Sequence, residues 1–90
     1  MNVLVVEDDP VTRMLVVQNI TLWGYRAEAV ESAEDALEFL AKNDDFFIVI
    51  TDWSMSGMSG TALAQTIKSA SDKMIYIIML TKRLDEKDMI

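Results

Sequence analysis

Phe46-Phe47-Ile48-Val49-Ile50-Thr51-Asp52-Trp53-Ser54-Met55-Ser56-Gly57-Met58-Ser59-Gly60 runs an apolar stretch into a lone carboxylate and then into a loop of serine, methionine and glycine. Phe46 to Ile50 is short, unbroken and rich in β-branched and aromatic residues, which predicts a strand buried on both faces of a parallel sheet. Its polar end then emerges at the carboxyl edge of that sheet. Open α/β folds bind ligands in the crevice beyond the strand ends, so Asp52 stands where chemistry is expected. Aspartate is also a common turn residue, and this stretch alone leaves both readings open.

Outward from that stretch, the rest of the chain alternates strand and helix. Asn2 to Val6 predicts a first strand, closing on Glu7-Asp8-Asp9-Pro10. Asp9 before Pro10 reads as a helix N-cap and first helical position, and Val11, Met14, Leu15, Gln18 and Leu22 give a helical stripe that ends before Gly24. Tyr25 to Val30, with Arg26 and Glu28, has the alternation of a half-exposed edge strand. Ser32 and Asp35 make a capping-box-like start to a second helix whose buried side is Ala36, Leu37 and Leu40. Beyond the central stretch, Ser59-Gly60-Thr61 opens a third helix to about Ser69, with Leu63, Ala64 and Ile67 turned inward. Met74 to Leu80 predicts a fourth strand ending on Thr81, and Asp85 and Glu86 suit the acidic first turn of a fourth helix. This order predicts a single α/β domain over residues 1–90, built on a doubly wound parallel sheet with right-handed crossovers.

Composition narrows the chemistry. Ninety residues suffice for one modest core, and 51% hydrophobic with 26% charged residues is globular. With 8 basic against 15 acidic residues the net charge is -7, which repels nucleic-acid phosphates and anionic membranes. Cysteine and histidine are both absent, which excludes a disulfide framework, a thiolate metal site and imidazole catalysis. The longest apolar run, Met74 to Leu80, is far too short to span a bilayer, and a soluble, cytoplasmic protein is expected. Carboxylates, hydroxyls and amines remain. Three strand ends carry them: Glu7 and Asp8, then Asp52, then Thr81. Two carboxylates about 4 Å apart repel by about 4 kcal/mol at an effective dielectric near 20, so such a cluster calls for a cation or a raised pKa. Mg²⁺, held by one or two carboxylates with waters and phosphate oxygens, fits best.

These residues resemble a known family. Val5-Val6-Glu7-Asp8-Asp9, Asp52-Trp53-Ser54-Met55 with Gly57-Met58-Ser59-Gly60, and Thr81 after Ile77-Ile78-Met79-Leu80 are similar, in order and over the whole chain, to the receiver domain of bacterial two-component response regulators. The resemblance implies a flavodoxin-like sheet of order 2-1-3-4 with the family's fifth strand missing, hence a domain incomplete at its carboxyl end. It implies that Asp52 is the phosphoacceptor for a phosphohistidine on a sensor histidine kinase or phosphotransfer protein. Asp8, Asp52 and the backbone carbonyl of Ser54 would ligate Mg²⁺, with Glu7 acting through a bound water. Thr81 would hydrogen-bond the phosphoryl group, while Ser54 and Arg83 occupy positions that tune phosphate lifetime. Such a domain is not an enzyme beyond its own phosphorylation and dephosphorylation. Ser56 replaces a usual proline, Lys82 a usual small residue, and no lysine matches the family's phosphate-binding lysine of the fifth strand.

Three other readings compete with this one. A haloacid-dehalogenase-type phosphatase expects a second aspartate two residues after the nucleophile, where this chain has Ser54. A flavodoxin-type flavin binder needs a hydroxyl-rich phosphate loop after the first strand, where Glu7-Asp8-Asp9 would repel a phosphate. A receiver-like interaction module that is never phosphorylated is the remaining alternative. Finally, Met-Ile-Tyr-Ile-Ile-Met-Leu, with no charge, proline or glycine, would be an open sheet edge, so the chain is expected to form a homodimer through Met74 to Leu80 or to be a fragment of a longer response regulator.

Overall fold

In the computed structural model, residues 1–52, 58–70 and 74–80 are described. The chain order is β1 (Asn2–Val6), α1 (Pro10–Leu22), β2 (Arg26–Val30), α2 (Ala33–Lys42), β3 (Ile48–Asp52), α3 (Gly60–Ala70) and β4 (Tyr76–Leu80). The four strands form one parallel sheet in the order β2-β1-β3-β4, with no fifth strand among the described residues. This is the doubly wound order that the family resemblance implied. β1 lies at its centre, pairing Val3 to Val6 with Ala27 to Val30 on one side and with Ile48 to Thr51 on the other.

Side chains alternate across β1, and each face takes its own helices. Leu4 and Val6 point with Val49 toward α2 and α3, where Ala33, Ala36, Leu63, Ile67 and Phe46 complete the larger core. Val3 and Val5 face α1 and close a smaller core with Ile20, flanked by Val16, Val17, Ile48 and Ile50. Here the structure corrects the expected stripe. Val11, Met14, Leu15 and Leu22 lie on the exposed side of α1, and the inner side is Val16, Val17 and Ile20. α1 is apolar around its circumference, so periodicity alone allowed two orientations.

The caps follow the sequence. Asp9 is extended and accepts from Thr12 N at 2.9 Å, with Pro10 at the first helical position. Ser32 Oγ accepts from Asp35 N at 3.1 Å, and Ser59 Oγ from Ala62 N at 3.2 Å. α1 ends with Gly24 N donating to Thr21 O and Tyr25 N to Ile20 O, a paired closure that sets Gly24 at φ 92°. That backbone conformation suits glycine even though no atom would meet a Cβ there.

β3 begins two residues later than the apolar run suggests. Phe46 precedes the strand and is buried in the larger core, its ring edge-on to Phe39 at 4.8 Å between centroids. Thr51 and Asp52 thereby become strand residues rather than the start of a turn. Burial is also one-sided. Val49 is enclosed, but Ile48 and Ile50 are half-buried, because α1 covers β1 and β2 more fully than β3. β2 is the expected edge strand, with Arg26 and Glu28 forming an exposed ion pair at 3.7 Å. β4 starts at Tyr76, so Met74 and Ile75 lead into it.

Candidate acidic phosphoacceptor site

The site forms at the carboxyl ends of β1 and β3. β1 stops at Val6, and Glu7 N donates to Val30 O at 3.1 Å, which ties the chain to the end of β2 as it leaves the sheet. Glu7 is buried, and its Oε1 accepts from Asp9 N at 3.2 Å. Its backbone carbonyl accepts from Arg13 Nη1 at 3.0 Å. Asp9 also caps α1 and its Oδ2 accepts a hydrogen bond from Thr12 Oγ1 at 2.6 Å, so the turn from strand to helix is closed by its own acids.

Asp52 is the last residue of β3, in register with Leu80 of β4. It is 4% exposed, and its Oδ2 is buried and accepts no hydrogen bond among the described residues. Thr51, fully buried beside it, donates its hydroxyl to Asp52 O at 3.2 Å. Parallel pairing of β1 with β3 brings the two strand ends together. One carboxylate oxygen from each of Glu7, Asp8 and Asp52 lies within 4.8 Å of the others, and Asp8 is the most open of the three.

Three converging carboxylates, two of them buried, suit a hard divalent cation with oxygen ligands. Of the residues singled out in the sequence, Glu7, Asp8 and Asp52 are gathered here. Ser54, Thr81 and Arg83, with Ser56 and Lys82, lie outside the described residues. Sequence reasoning missed Arg13. Its one signal was being the sole charged residue of α1, one turn beyond the acids.

A doubly wound parallel sheet with an acidic cluster at its carboxyl edge defines the class. A model of the response regulator receiver domain matches residues 3–90, and the chain belongs to that family. It is 39% identical over 85 residues to the chemotaxis protein CheY1 of Helicobacter pylori, covering 90% of this chain and 67% of that one. It is 36% identical over 83 residues to the transcriptional regulatory protein HprR of Escherichia coli, covering 92% of this chain but only 36% of HprR. Among solved structures, the response regulator TrrA of Thermotoga maritima in complex with Mg²⁺–BeF is 34% identical, with a TM-score of 0.80 over 89% of this chain and 68% of that one. TrrA has also been solved in complex with the histidine kinase ThkA, at 30% identity and a TM-score of 0.81 over 98% of this chain and 78% of that one.

Proposed function

We propose that this domain accepts a phosphoryl group on Asp52 from a sensor histidine kinase or a phosphotransfer protein. The observation that carries the reading is the placement of Asp52, a buried strand-end carboxylate within 4.8 Å of two further acids. Asp52 attacks phosphorus, the bond from phosphorus to the donor histidine nitrogen breaks, and the product is an acyl phosphate. Glu7, Asp8 and Asp52 suit Mg²⁺; Asp8, Asp52 and the Ser54 carbonyl would hold it, with Glu7 acting through a bound water. When bound, the ion would neutralise charge on the transferring group. Thr81 is assigned to the phosphoryl oxygens, and Ser54 and Arg83 to the lifetime of the product.

The chain's own residues prepare the site without any cation. β1 and β3 fix the two acid positions by ladder pairing. The exposed Val11, Met14 and Leu15 on α1, the helix that leaves the site, offer an apolar surface to a helical partner. That TrrA binds a histidine kinase supports the same class of partner here. Cytoplasmic placement follows from such a partner, and no described helix is long and apolar enough to cross a membrane. We further assign residues 1–90 to one receiver domain whose β4 edge pairs with a second copy or with a strand of a longer response regulator.

Intact mass after incubation with Mg²⁺ and acetyl phosphate tests the assignment. The unmodified chain should gain one phosphate, and Asp52→Asn, which keeps the shape but removes the nucleophile, should gain none. A phosphate on the variant would place the acceptor elsewhere. A chain that never gains one would leave the domain as a receiver-like interaction module.

A further inference from the structure

We propose that Arg13 is a positioning residue for the acidic site, holding Glu7 in place through its backbone carbonyl. This rests on the metal-assisted phosphoacceptor reading above. Glu7 is the first residue past the end of β1, whose register with β3 runs from Val3 to Val6. There Arg13 donates to the Glu7 carbonyl at 3.0 Å from a half-buried position one turn into α1, and a half-buried carbonyl holds such a donor firmly. Glu7 is thereby held three ways: N to Val30 O of β2, O from Arg13 of α1, and Oε1 from Asp9 N of the turn.

The charge pattern points the same way. α1 carries no charged residue but Arg13, whereas Arg26 and Lys42 pair with Glu28 and Glu38 at the exposed surface. Arg13 instead turns its guanidinium toward the end of β1 and lines a cavity of about 300 Å³ with Ala29, Val30, Glu31 and Asp35. A planar guanidinium offers several fixed N–H donors, so it can hold the Glu7 carbonyl while the rest of its edge faces this cavity. Loss of that donor should let the turn drift. Glu7 would then lose its fixed distance to Asp8 and Asp52.

Arg13→Met keeps the aliphatic stem and removes the donor, and Arg13→Lys restores one N–H. Mg²⁺ affinity of the full chain, measured by calorimetry, should fall about tenfold in Arg13→Met, the lower range for outer contacts of metal ligands, and recover in part in Arg13→Lys. Without metal, hydrogen exchange at the Asp9 amide should speed up in Arg13→Met while the β3 amides keep their protection. Wild-type Mg²⁺ affinity in Arg13→Met would overturn the proposal, as would equal loss of protection throughout the sheet, which would make Arg13 a general structural residue. An unmodified chain that binds no Mg²⁺ would overturn the phosphoacceptor reading and this proposal with it. An unmodified chain that binds Mg²⁺ beside an Arg13→Met that binds equally would remove only the role of Arg13.

Discussion

Glu7 and Asp8 are neighbours in the chain but differ in their surroundings. Glu7 is buried with Oε1 already bonded to Asp9 N, while Asp8 is open and aimed into the same cluster. A buried acid held by a backbone amide has less freedom to move onto a cation than a more solvent-exposed one. Asp8→Ala should therefore weaken Mg²⁺ binding more than Glu7→Ala, and calorimetric titration of the two variants checks the order. Equal affinities would contradict a direct bond from Asp8 and a water-mediated one from Glu7. The acids themselves were legible because each stands at the end of an apolar run. Arg13 was not, because only the folded turn brings its guanidinium to the Glu7 carbonyl six residues back.

α1 and β3 show how an element's type can be read while its placement cannot. Ile20 is 3% exposed inside the α1 core and Leu15 is 49% exposed on the far side. Ile20→Ala should cost about 2–5 kcal/mol of stability, since it opens a cavity in a packed core. Leu15→Ala should stay within about 0.5 kcal/mol, as surface changes do. Urea denaturation of both variants decides the orientation of the helix, and the reverse ranking would favour the stripe first read from the sequence. Phe46 makes the same point at the entry to β3. With its ring against Phe39 and only 1% of its surface exposed, Phe46→Ala should cost about 3–5 kcal/mol, a large share of a typical domain's roughly 5–15. The same urea denaturation would expose a loss below about 1 kcal/mol, too small for a core aromatic of this kind.

The whole molecule is covered unevenly. On the α2 and α3 side, Ile75 and Ile77 pack against the larger core. On the α1 side, Tyr76, Ile78 and Leu80 remain exposed, and β4 pairs only with β3 among the described residues. An apolar strand with an open edge is a template for another strand. The chain should associate as its concentration rises, and light scattering should show a mass above the monomer. Ile78→Lys, which places a charge in mid-strand, should reduce that mass. A monomer at all concentrations, in the parent and the variant alike, would mean that the edge is not a pairing surface.

From sequence alone came the alternation of strand and helix, the parallel sheet and its order, the caps at Asp9 and Ser32, and the three acids that meet. The strand order came from the family resemblance; the rest depends on short-range pattern: apolar runs, a capping residue, a polar group where a run stops. The tertiary structure decided which side of α1 is inside, where β3 begins, and what holds Glu7. The first follows from the sheet face that α1 must cover, because a helix apolar all round has no preferred side until it packs. The second follows from register, because β1 pairs with Ile48 to Thr51 and leaves Phe46 to fill the core beneath α2. The third is a bond between a helix side chain and a carbonyl just past the end of a strand, and no local pattern encodes a partner that exists only once β1 has paired on both sides.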